Sequence, residues 1–240
     1  MSDNTAIRLV GALALSAGLG LAGNAQATLT WDFTGAGGDL SKTETFDDIT
    51  STAQVTAHAI NTEEPPEPVL NQDGEGLGVD LSDSFDGSLS DPNGPDGTIL
   101  PDEDQIDNRG DDEGIVFDFG SMMQFENISI ASASGGILSE PDAFEIWGTN
   151  DSSVTGCTSG GLSCLTGVST SLGSGSGDSM VDLTGMDSYQ YLIATVPGGS
   201  GDDYRVASLE ANQVPAPATL GLLGLGLAGM GLTRGRKRKS

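Results

Sequence analysis

Positive charge is what this 240-residue chain most lacks: nine Lys and Arg stand against 35 Asp and Glu, with a single histidine. Six of the nine bases crowd the ends, Arg8 near the start and Arg234, Arg236, Lys237, Arg238 and Lys239 near the finish. Between them only Lys42, Arg109 and Arg205 face 34 acids (35 less Asp3), a net charge of −31. Phosphate contacts are made by Lys and Arg, so this balance excludes a nucleic-acid partner. It leaves two readings of the carboxylates. They keep the chain soluble, as in salty water that screens their repulsion, or some are neutralised by calcium, a hard cation that takes oxygen ligands.

Catalytic side chains are scarce too. The one histidine, His58, sits in an alternating run of small residues and reads as surface-facing. There is no G-x-S-x-G followed by a histidine, no P-loop and no H-E-x-x-H. A carboxylate pair for glycoside hydrolysis would be the remaining chemistry, and 34 acids give no means of choosing a pair. The chain is therefore read as a non-enzyme. Aromatic residues are few, and Trp31 and Trp147 are read as core. The alternative is an exposed ring that stacks on a sugar.

The two ends differ from the middle. Residues 1–27 carry Arg8, an apolar stretch from Leu9 to Ala22 and a closing Ala25-Gln26-Ala27. That is the layout of a secretory signal peptide, which predicts a mature start at Thr28. Ala218 to Thr233 has no charged residue. As a helix it would span about 24 Å against a bilayer core of roughly 30 Å. Its five glycines weaken the helix further. This predicts a short, transient membrane segment with the Arg/Lys cluster on the cytoplasmic side. Cys157 and Cys164, in CTSGGLSC, are the only cysteines. With no histidine nearby the spacing is a poor metal signature, and in an exported chain it predicts a disulfide.

Residues 28–212 show no long 3.6-residue apolar period. Short alternating runs between Gly-rich turns predict one all-β domain, a two-sheet sandwich. The expected strands are TLTWDFTG, TAQVTAHAI, GLGVDLS, GIVFDFG, FENISIAS, FEIWGTND, YQYLIATV and YRVASLEA. YQYLIATV is apolar on both faces and is expected at a sheet centre. YRVASLEA is expected to place Tyr204 and Val206 on one side and Ala207 and Leu209 on the other.

The strongest metal candidate is PDEDQIDNRGDDEG, where Asp102, Asp104, Asp107, Asn108, Asp111, Asp112 and Glu113 concentrate oxygen ligands. Calcium would relieve their repulsion and could be wrapped by such a loop. The alternative, slightly favoured, is a solvated acidic loop, with Arg109 as internal counter-ion. Neither this segment nor DPNGPDG, with Pro95 at a ligand position, fits the EF-hand pattern.

Val214-Pro215-Ala216-Pro217, then a Gly/Leu-rich span, then an Arg/Lys cluster, resembles the PEP-CTERM sorting signal of Gram-negative bacteria. Ala216 stands where the name-giving Glu would be. The resemblance covers residues 213–240. It implies transient inner-membrane insertion, processing by an exosortase near the motif, and delivery to the cell surface or extracellular polysaccharide matrix. From Gly114 to Ala211 the order FEIWGTND, Gly/Ser loop, YQYLIATVPGG, RVASLEA resembles galactose-binding-like, discoidin-type domains. That resemblance implies a jelly-roll sandwich, carbohydrate binding at loops on one end, and a structural calcium. The combined expectation is an exported, non-catalytic surface or matrix protein associated with exopolysaccharide, binding carbohydrate and calcium. A secreted glycan-active hydrolase and a matrix protein without ligand are the alternatives.

Overall fold

A computed structural model describes residues 27–35, 38–60, 68–81, 106–107, 113–132, 143–156, 165, 167–196 and 203–214. The chain divides into two units, Thr28–Val214 and Met1–Ala27 with Pro215–Ser240. Apart from Ala27, the second unit lies outside the described residues.

The first unit is all-β. Its strands are β1 (Thr28–Asp32), β2 (Gly38–Asp39), β3 (Thr43–Asp47), β4 (Gln54–Ile60), β5 (Pro68–Gln72), β6 (Leu77–Leu81), β7 (Ile106–Asp107), β8 (Gly114–Ser132), β9 (Ala143–Thr149), β10 (Thr170–Ser176), β11 (Ser179–Asp182), β12 (Tyr189–Thr195) and β13 (Asp203–Gln213). A 3-10 turn at Ser152–Gly156 is the only helical element among the described residues.

Every ladder is antiparallel, and β8 carries the architecture. Its first part, Gly114–Asp118, lies between β4 and β12. Its second part, from Met123 to Ser132, lies beside β13, with β11 on the other edge at Asn127–Ile130. One layer therefore runs β3-β4-β8-β12-β9-β10. The other runs β11-β8-β13, with β1 and then β7 and β6 along β13, and β5 and β2 beyond β6. A strand that bends from one sheet into the other makes the corner of such a sandwich. The bend falls at Gly120, whose φ of +64° suits a residue without Cβ. GIVFDFG and FENISIAS, expected as two strands, are thus one bent strand.

The alternation seen in the sequence fills the space between the layers. Trp31, Phe33, Val55, Ala57, Ala59, Ile115, Phe117, Phe119, Ile128, Ile130, Phe144 and Ile146 are buried in one core. Ring contacts run across it: Trp31 to Phe119 at 5.2 Å, Phe33 to Phe117 at 5.2 Å and Phe144 to Tyr204 at 5.8 Å. Offset and edge-on aromatic pairs of this kind add to the area they bury. β12 is central, flanked by β8 and β9, and buried on both faces as expected. The expectation for β13 needs one correction. A bulge between Val206 and Ser208 inserts an extra residue, so Leu209 joins Tyr204 and Val206 in the core instead of opposing them.

The strand directions give the sandwich two distinct ends. Thr28, Val214, the β3–β4 turn, the β8 corner and the β11–β12 turn stand at one end. Asp107 and Glu113, which flank segment 108–112, stand at the other.

Candidate functional site

The β3–β4 hairpin is far in sequence from β8, β9 and β12, yet the registers of these strands align side chains in rows on the outer face of the first layer. One row reads Thr45, Thr56, Asp118, Tyr191, Thr149. The next reads Thr43, His58, Val116, Ile193, Trp147.

Hydrogen bonds fix these groups. Thr45 and Thr56 join their hydroxyls at 3.2 Å. Gln190 Nε2 donates to Asp118 Oδ1 at 3.1 Å and to the Tyr191 hydroxyl at 3.0 Å. The Gly120 N–H donates to the same Asp118 oxygen at 2.8 Å. Thr43 Oγ1 lies 3.1 Å from His58 Nδ1. Partial burial lowers the His58 pKa below 6.5, against the pull of Asp118. Burial, with Asp118 adding to it, raises that of Tyr191. The result is a strip of hydroxyls, one carboxylate, one amide and one imidazole, in which Tyr191 and Thr149 are buried and Thr45, Thr56 and Asp118 are more open.

Trp147 borders this strip. It is half-buried, packed against a second, smaller cluster of Ile60, Val116, Val154, Leu165, Tyr191 and Ile193. Trp31, by contrast, is in the main core. Hydroxyl, carboxylate and amide groups beside an amphipathic ring can meet the hydroxyls and the apolar face of a sugar. Two other carboxylates lie on this face, Asp47 on β3 and Glu145 on β9, and Glu145 is two rows along and two strands across from Asp118. At strand spacings of about 4.8 Å and rises of about 3.4 Å per residue Glu145 stands roughly 17 Å from Asp118, and Asp47, one row the other way and two strands across, roughly 12 Å. Glycosidase pairs stand roughly 5–9.5 Å apart.

A second polar group lies on the outer face of the other layer. Arg205 is buried there, because its neighbours Tyr204 and Val206 turn inward. Its Nη1 donates to Asp73 Oδ2 at 3.1 Å and lies 3.5 Å from Asn71 Oδ1. Asn71 Nδ2 donates in turn to Asp39 Oδ1 at 3.0 Å. The network ties β13 to β5 and β2. Its polar members read in sequence as surface positions, and no local signal marks them.

Of the sequence-derived metal candidates, Asp102, Asp104, Asn108, Asp111 and Asp112 lie outside the described residues, as does Arg109. Asp107 is described through its backbone, opposite Asp203. Glu113 is buried, and its carbonyl accepts the Thr195 hydroxyl at 3.1 Å. Among the described residues no group of three or more His, Cys, Asp or Glu is placed to hold a metal. Many described carboxylates cap turns instead: Asp32, Asp48, Asp73, Asp151 and Asp182 each accept a backbone N–H two residues on. Cys157 and Cys164 also lie outside the described residues. Val154 and Leu165, on either side of them, share the smaller cluster. Of the sorting motif Val214 is described, its N–H donating to the Met122 carbonyl at 3.2 Å, while Pro215, Ala216 and Pro217 are not. Among the described residues no helix is long and apolar enough to cross a membrane.

Residues 213–238 match the PEP-CTERM protein-sorting motif. The motif marks an exported, surface-sorted chain that is anchored in the membrane before an exosortase processes it. No curated protein matches the chain. A solved structure, the C-terminal domain of a chitobiase from Bacteroides fragilis, is similar at 13% identity and a TM-score of 0.27. The match covers 42% of this chain and 62% of that one.

Proposed function

We propose that the mature protein is a non-catalytic component of the cell surface or extracellular matrix that holds exopolysaccharide on the outer face of its first sheet. The observation that carries this reading is the sorting motif at residues 213–238, which begins where β13 ends. Delivery to the surface is the fate of such a chain, and polysaccharide is the abundant partner there. The strip from Thr45 and Thr56 to Asp118 supplies the contact in this reading, with Trp147 at its border, and its hydroxyls and the Gln190 amide suit a neutral sugar better than an acidic one.

The test is co-sedimentation of the protein with polysaccharide from the producing cells. Trp147→Phe together with Thr56→Ala is expected to weaken binding about tenfold, the loss of roughly 1.4 kcal/mol, with the melting temperature little changed. Unchanged binding would remove this face from the account. Release of reducing ends by the wild-type protein would favour the hydrolase instead.

A further inference from the structure

We infer that the end of the sandwich from which both chain termini leave is a lipid-facing surface, in contact with the bilayer while the tail anchors the chain. This rests on the anchoring reading above. Six large apolar side chains are exposed among the described residues: Ile49, Met122, Val168, Met180, Met186 and Val214. Scattered singly they would mean little. Five of them stand at one end.

The backbone places each of the five. Thr28 pairs with Asn212, so the start of β1 and the end of β13 are side by side. Val214 follows, its N–H on the Met122 carbonyl at 3.2 Å. The Ile49 N–H donates to the Thr30 carbonyl at 2.9 Å, on the free edge of β1. Met186 sits in the turn from Leu183, which is bonded to Glu126, to Tyr189, which pairs with Met123. Val168 is joined through its carbonyl to the Thr149 hydroxyl at the last residue of β9. Met180, opposite Ser129 within the β11–β8 ladder, is the exception.

The occupant follows from the chain itself. The uncharged run Ala218–Thr233 begins four residues after Val214, too few to form a stalk. An anchored domain must therefore sit with this end against the headgroups. Clustered exposed apolar side chains mark such a contact. Asp47, Asp151 and Asp187 are also exposed at this end, which keeps the contact at headgroup level and favours zwitterionic over anionic lipid. Asp107 and Glu113, the described residues on either side of the acid-rich segment, stand at the opposite end.

Three native methionines make the test possible without substitutions. Met180 is 72% exposed, Met122 46% and Met186 39%, so all three are open to a soluble oxidant in the absence of lipid. The chain from Thr28 to Ser240, with the tail intact, is to be reconstituted on phosphatidylcholine vesicles, floated on a density gradient, and treated with dilute peroxide. Sulfoxide formation is then followed by peptide mass. Met122 and Met186 are expected to oxidise at least several-fold more slowly than Met180. Rates for all three in the order and ratio of their exposures would overturn the lipid-facing surface while leaving anchoring intact. A chain that does not float would overturn the anchoring, and this surface with it.

Discussion

Arg205 donates to Asp73 across 3.1 Å, from a side chain only 5% exposed to a carboxylate 42% exposed. The pair is lopsided, and so are the consequences of breaking it. Removing Asp73's charge strands a buried cation, whereas removing Arg205 leaves an acid that water can solvate. Asp73→Asn, which can still accept the N–H groups of Glu75 and Gly76, is therefore expected to cost about 1.5–3 kcal/mol, the worth of a hydrogen bond to a charged group. Arg205→Met, which fills the same space without charge, is expected to cost about 1 kcal/mol or less. Urea unfolding of the two variants decides the order. The reverse order would mean that packing, not charge, is what Arg205 contributes.

Gly148 is required by its neighbour. A Cβ built there would lie 2.5 Å from Cδ2 of the Tyr189 ring, while one at Gly156 would meet nothing within 4 Å. Gly148→Ala is expected to destabilise by about 1–3 kcal/mol through overpacking. Gly156→Ala should change stability little. The paired melts check both, and equal effects would contradict the close approach.

Asp48 joins β1 to the β3–β4 turn. Burial raises its pKa, but hydrogen bonds from Ser51, Thr30 and Thr50 outweigh that and hold it below 3.8. A carboxylate with a depressed folded pKa stabilises fully above its unfolded value and loses that contribution as pH falls through the folded value. Wild type should thus lose stability below about pH 4 more steeply than Asp48→Asn. Parallel pH profiles for the two would show that Asp48 carries no such linkage. His58, the only histidine, gives a second reading by NMR: its imidazole should titrate below 6.5.

Calcium is proposed at the segment from Asp102 to Glu113. If it binds there, saturation at about 100 times its dissociation constant adds roughly 2.7 kcal/mol of stability. Asp107→Asn and Asp111→Asn should blunt that response. Sodium at matched ionic strength giving the same shift would show screening alone. Likewise Cys157 and Cys164 are proposed to form a disulfide worth about 2–3 kcal/mol in the chain-entropy picture. Labelling of both thiols in the folded, unreduced protein would rule it out.

The sequence showed the core more clearly than the edges. Alternation in Ile115-Phe117-Phe119 and in Phe144-Ile146 is strong because every inward residue is large. β10, TSLGSGS, buries only Leu172, and β11, SMVD, only half-buries Val181, so neither carries a pattern that alternation can detect. The bulge after Val206 was equally hidden, because YRVASLEA offers an apolar residue to either register. The polar strip escaped for another reason. Asp118, Thr56 and Tyr191 are separated by long stretches of chain and meet only through ladder registers that no local motif encodes. The sorting motif was legible, since its order of motif, apolar run and basic cluster is written in consecutive residues.

The account stands most directly on the intact mass of the protein recovered from the surface of the cells that make it. Export followed by sorting predicts a chain that begins at Thr28 and ends near Pro215–Pro217, without the cluster from Arg234 to Lys239. A full-length chain at the surface, still carrying Lys239, would contradict it.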